Sequence, residues 1–114
     1  MKPATWSYAE EYVAEDDVLA AARARAAEVG VTPIGSGGGA ALRFLASVLD
    51  ARAVVEIGTG TGVSGLWLLR GMRGDGVLTT VDIVQTRALA TYERHRLTPV
   101  GLQHVPGFPR LDVV

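Results

Sequence analysis

The stretch VVEIGTGTGVSGLWLLR, residues 54–70, runs from a β-branched apolar segment through four glycines in eight residues into a second apolar segment. The first part reads as a short strand over 53–57 and the last part as a helix over 63–72, with Val63, Leu66 and Trp67 on one side. Glycine is needed between them wherever the chain turns with positive φ or must lie against a ligand with no Cβ in the way. A loop joining a strand to a helix also offers unsatisfied N–H groups and the positive end of the helix dipole. After the turn RGDG at 73–76, VLTTVDI at 77–83 reads as a second strand. Two short apolar strands joined through one helix make a βαβ unit with a parallel pair, which is the signature of an α/β fold.

Upstream, DDVLAAARARAAEV at 16–29 is alanine-rich, acidic at its start and followed by Gly30. It predicts a helix with favourable charge at its N-terminus and a glycine stop. VTPIGSGGG at 31–39 reads as turn and loop, with GSGGG serving equally well as a hinge or a binding loop. A further helix is expected from Ala40, where Ala41, Leu42, Leu45, Val48 and Leu49 recur at helical spacing. Residues 1–14 carry Trp6, Tyr8 and Tyr12 among acids and read as an arm packed on something larger. Trp67 reads as core.

The composition excludes several classes. With 114 residues there is room for one small domain. Eleven Lys and Arg against twelve Asp and Glu give no basic field for nucleic acid. No apolar run is long enough to span a membrane, and the N-terminus lacks the apolar core of a secretory signal. The absence of cysteine removes disulfide and thiolate chemistry and fits a cytoplasmic protein.

Two ligands suit the glycine loop: the pyrophosphate of a dinucleotide, or the methionine half of S-adenosylmethionine. GTGVSG at 60–65 matches G-x-G-x-x-G, and Asp82 follows Gly62 by 20 residues, near the distance of a ribose-binding acid. Glu56 decides against the dinucleotide. Its carboxylate sits near the end of the strand, two positions before Gly58, where it would repel a pyrophosphate but favour an ammonium and a sulfonium. A dinucleotide register would also use Gly58 and Gly60, and the third glycine position is then Val63.

VVEIGTGTGVSGLWLL followed by GDGVLTTVDI resembles the cofactor half of the class I O-methyltransferases, in particular the catechol/caffeoyl-CoA type and its bacterial members. The acidic-x-Gly-x-Gly-x-Gly motif, the serine two residues past its last glycine, the acid ending the next strand and the lead-in VTPIGSGGGAALRFL all match. The resemblance spans residues 15–83. It implies a Rossmann-like α/β fold, present here as N-terminal helices and the first βαβ unit. It also implies that Glu56, Gly58 and Thr59 hold the methionine portion and that Ser64 adds a hydroxyl contact. Asp82 would accept from the ribose hydroxyls, with Ile83 against the adenosine and Ile34 as a further apolar contact. Read alone, Ser64 serves equally well as a helix cap, and Asp82 could simply end a strand.

From residue 84 the texture changes. The remaining 31 residues hold three of the five prolines, both histidines and only two acids, Glu93 and Asp112. The family's strand ending in D-x-D, which would carry a divalent metal such as Mg, is not found there, and TPVGLQHVPGFPRLDVV has no convincing core strand. His95 and His104 lack metal-ligand spacing. The expectation is therefore a divergent tail at 84–114, truncated or frame-shifted, after the N-terminal half of a cofactor domain at 15–83 and an arm at 1–14. The parent activity would be methyl transfer to a hydroxyl of a small molecule, without a nameable catalytic residue and with homo-oligomerisation allowed. The alternatives are a non-catalytic nucleotide- or partner-binding fragment and an NAD-binding oxidoreductase fragment.

Overall fold

A computed structural model describes residues 2–82 and 110–113. The first helix, α1, spans Pro3–Glu11 with proline at its start, where a missing N–H costs nothing. The stretch read as an arm is thus helical, and Gly37 N–H donates to the Glu10 carboxylate at 3.2 Å. Helix α2 covers Asp17–Val29. Asp16 caps it by accepting from Leu19 N–H, and Gly30 ends it in the left-handed conformation at φ 72°. These are the two punctuation marks visible in the sequence.

Helix α3 spans Ser36–Val48, so its first turn takes in most of the glycine run expected to be loop. The reason is close packing. A Cβ on Gly39 would collide with the Trp67 indole, and one on Gly37 would stand 2.9 Å from the Ala9 carbonyl of α1. The spaced apolar residues of this helix do not form its buried face. Gly39 and Ala46 are buried, while Phe44, Leu45, Val48 and Leu49 are exposed.

Strand β1, Ala53–Ile57, leads through the glycine loop into α4, Val63–Gly71, and α4 returns to β2, Val77–Val81. The two strands are parallel, with Glu56 level with Thr80 and Ile57 level with Val81. A third strand, β3, covers Arg110–Val113 and pairs in parallel with the far side of β2, giving the order β1–β2–β3. This corrects the expectation that the end of the chain holds no core strand. Four residues between prolines and the terminus are too few for alternation to be visible, so only the pairing with β2 reveals them.

The core lies between α4, α2 and one sheet face: Leu19, Ala22, Ala46, Val63, Leu66, Trp67, Leu69, Met72 and Leu78. Trp67 is 1% exposed, in keeping with its reading as core. Helices α3 and α4 approach closely because Gly71 lies against the Arg43 carbonyl, where a Cβ has no room. Alternation along β1 sends Val54 and Glu56 to the helix-covered face and Val55 and Ile57 to the other. Those two are 70% and 88% exposed among the described residues. No helix among the described residues is long and apolar enough to cross a membrane.

Candidate cofactor site

The loop after β1 is a chain of tight turns. Gly58, Gly60 and Gly62 have φ of 90°, 53° and 85°, a region where a Cβ clashes with the backbone. Gly58 N–H donates to the Val81 carbonyl at 2.8 Å, continuing the β1–β2 pairing past the end of the strand. Gly62 N–H donates back to the Thr59 carbonyl at 2.9 Å. Thr61 is buried and donates its hydroxyl to the Ala22 carbonyl at 2.9 Å, pinning the loop to α2. These bonds tie the loop to β2 and α2, and the backbone beside Gly58 is open, with nothing within 4 Å of where a Cβ would stand.

Parallel pairing brings the two acids to the same end of the sheet, outside the carboxyl ends of the strands, where open α/β folds bind ligands. Asp82 follows β2 directly, and its Oδ2 accepts from Gly60 N–H at 2.8 Å. Glu56 is buried on the helix-facing side of β1. Ser64 donates its hydroxyl to Oε1 of Glu56, and Thr80 donates to Oε2 at 2.7 Å. Buried carboxylates need such donors. Ser64 stands second in α4, after the Gly62 N-cap, and no side chain caps that helix, so the capping role is not the one it plays. Thr59 Oγ1 lies 2.6 Å from Thr80 Oγ1, joining the loop to the same network.

Of the residues singled out in the sequence, Glu56, Gly58, Thr59, Ser64 and Asp82 gather around this loop. Ile34 sits just before α3, partly exposed, with its side chain over Gly38. On the loop side, Val31 Cγ1 lies 3.3 Å from where a Cβ on Gly60 would stand. Ile83 lies outside the described residues. The sequence reading missed Thr80, Thr61 and Val31. Thr80 had a signal: in VLTTV it shares a strand face with Leu78, so a buried hydroxyl was implied.

The loop before α3 is tied down from α2. The Arg23 guanidinium holds Glu15 through Nε at 2.8 Å and Nη2 at 2.6 Å, and Nη2 also donates to the Ile34 carbonyl at 2.9 Å. The hydrogen bond and charge of Arg23 hold the Glu15 carboxyl below its ordinary range against the opposing effect of burial, with Ser36 and the Trp67 indole contributing. Among the described residues, Trp67 Nε1 is buried and makes no full hydrogen bond. No group of three or more acids or histidines that could hold a metal ion occurs among the described residues.

A parallel sheet with helices on one face, a turn of left-handed glycines and acids at the ends of adjacent strands defines a Rossmann-like domain of the cofactor-binding type. Residues 6–103 match the O-methyltransferase family, beyond both ends of the stretch 15–83 on which the resemblance was read. The chain belongs to this family. It is 56% identical over 77 residues to a protein of Mycobacteroides abscessus that carries the provisional name O-methyltransferase, covering 68% of this chain and 36% of that one. A Mycobacterium tuberculosis protein with the same provisional name is 54% identical over 78 residues, 68% of this chain and 35% of its own. The chain thus spans about a third of the length of these curated relatives. Among solved structures, the O-methyltransferase TomG of Streptomyces achromogenes in complex with SAM superposes with a TM-score of 0.73 at 25% identity. That match covers 99% of this chain and 52% of TomG. The O-methyltransferase of Bacillus cereus in complex with SAH shares the fold, with a TM-score of 0.73 at 21% identity over 95% of this chain and 48% of its own.

Proposed function

We propose that residues 15–83 carry the methionine and ribose half of an S-adenosylmethionine site, in an enzyme that methylates a hydroxyl oxygen of a small molecule. The observation that carries this reading is the pair of carboxylates, Glu56 and Asp82, on either side of a loop of left-handed glycines. A cationic amino acid head fits beside Glu56, and Gly58 leaves its backbone open to the ligand. A carboxylate offers about four acceptor positions, so the bond from Gly60 to Asp82 is compatible with ribose hydroxyls at the same carboxylate. Ile34 and Ile83 would supply apolar contact. When bound, the cofactor would supply an electrophilic sulfonium methyl beside the residues that hold it. The chain's own part is to orient that group and exclude water from it. The names of the relatives and the SAM and SAH in solved neighbours support this reading, and a cytoplasmic enzyme belongs with it.

The test is calorimetric titration of the full chain with SAH and, separately, NADH. Binding of SAH that disappears in Glu56→Ala and Asp82→Ala is the expected result. Binding of NADH in place of SAH would overturn it. A second reading, a module completed by another polypeptide, is favoured by one observation. Val55, Ile57 and Val81 leave one sheet face uncovered by described residues, whereas parallel sheets bury both faces.

A further inference from the structure

Beneath the glycine loop lies a hydroxyl that the proposed site does not yet use. Thr80 is 0% exposed, stands opposite Glu56 in the sheet and touches two residues of the candidate site at once. A threonine hydroxyl has one hydrogen and two lone pairs. Thr80 gives its hydrogen to Glu56 Oε2 at 2.7 Å. The 2.6 Å contact with Thr59 must therefore run the other way, with Thr59 donating and Thr80 accepting. Thr59 then has no hydrogen left to offer a ligand, and its side-chain oxygen can act only as an acceptor. On the other side of Glu56, Ser64 satisfies Oε1. The order Thr59 to Thr80 to Glu56 links the three side chains in one donor-to-acceptor relay.

We infer that Thr80 is a positioning residue for the cofactor site: it holds the Glu56 carboxylate in place and takes up the hydrogen of the buried Thr59 hydroxyl, so that Glu56 presents its remaining lone pairs to a cationic ligand head. This rests on the S-adenosylmethionine reading above and adds a residue that would not touch the cofactor itself. The chemistry favours an ammonium over a phosphate, because the carboxylate held there repels an anion.

Two substitutions separate orientation from packing. Thr80→Val keeps the volume and removes the hydroxyl; Thr80→Ser keeps the hydroxyl and removes a methyl. Titration of the full chain with SAH is expected to lose about tenfold or more in affinity in Thr80→Val, the scale of a hydrogen bond to a charged group. Thr80→Ser is expected to stay within about threefold of the unchanged chain. The reverse order, with Val tolerated and Ser harmful, would assign Thr80 to packing alone and overturn the inference while the cofactor reading stands. A ligand-free measurement accompanies this one. In a denaturation double-mutant cycle, Thr80→Val and Thr59→Val should couple by at least about twofold in the unfolding constant. Additive effects would show that the hydroxyls do not meet, defeating the Thr80 network by itself. An unchanged chain that binds no SAH at all would overturn both the cofactor reading and this use of Thr80.

Discussion

Two glycine-rich stretches open helices in this protein, and they use glycine for different reasons. In GTGTG, residues 58–62, each glycine has positive φ, and the loop closes by Gly58 donating to Val81 and Gly60 to Asp82. In GSGGG, residues 35–39, no glycine has positive φ. The chain is ordinary helix from Ser36, and Gly39 is there so that the Trp67 indole can lie against the backbone. One stretch needs glycine for its backbone angles and the other for its missing side chain. A string of glycines in a sequence therefore marks a constraint without saying which one.

Substitutions can break this contrast. The largest effect is expected at Gly39. Alanine there should cost about 1–3 kcal/mol, as overpacking does, and asparagine should be worse because it is larger. Chemical denaturation checks both, and a harmless Gly39→Asn would show that the indole contact is not what requires glycine. Gly62 should behave in the opposite sense. Gly62→Ala is expected to cost about 1–2 kcal/mol from its left-handed backbone, while Gly62→Asn should recover part of that loss because asparagine tolerates this conformation. If alanine and asparagine rank the same way at both positions, the distinction fails.

A smaller effect is expected where the second stretch is tethered. The Glu15 carboxyl is held below its ordinary value of 4.5, chiefly by its hydrogen bond with Arg23. The unfolded chain therefore binds a proton more readily than the native one between the two values. The pair's stabilisation is complete above the unfolded pKa and falls away as pH drops through 4.5 towards the folded value. Glu15→Gln should lower stability by about 1 kcal/mol at pH 7 and by much less at pH 3, measured as melting temperature against pH. Equal losses at both pH values would remove the charge from the account. Smallest of all, the exposed Arg25–Glu28 pair one turn apart on α2 should be worth no more than about 0.5 kcal/mol to Glu28→Gln. It serves as the baseline for substitutions that touch neither glycine stretch.

Much of the fold was legible. Asp16 and Gly30 bracketed α2, β1 was read over the residues it occupies, and α4 and β2 began at Val63 and Val77 as expected. These elements carry local signals, such as a cap, a glycine stop or a β-branched run. The clustering of Glu56, Gly58, Thr59 and Asp82 was legible too, because one βαβ unit brings the ends of two successive strands together. Three features were not. The start of α3 was hidden because glycine counts against a helix locally, whereas contact with α1 and Trp67 favours it. Its apolar residues recur at helical spacing, yet the helix packs through Gly39 and Ala46, whose small size allows the close approach to α4. And β3 owes its existence to hydrogen bonds with β2, not to any pattern within its four residues.

By itself the sequence determined the βαβ unit and the left-handed turns, since both follow from residue type and short spacing. Only the tertiary structure decided who satisfies whom. Ser64 and Thr80 are 8 and 24 residues from Glu56, and no local rule assigns their hydroxyls to its carboxylate. A buried carboxylate must find donors, but which donors reach it is set by strand register and helix packing, and these are properties of the assembled fold.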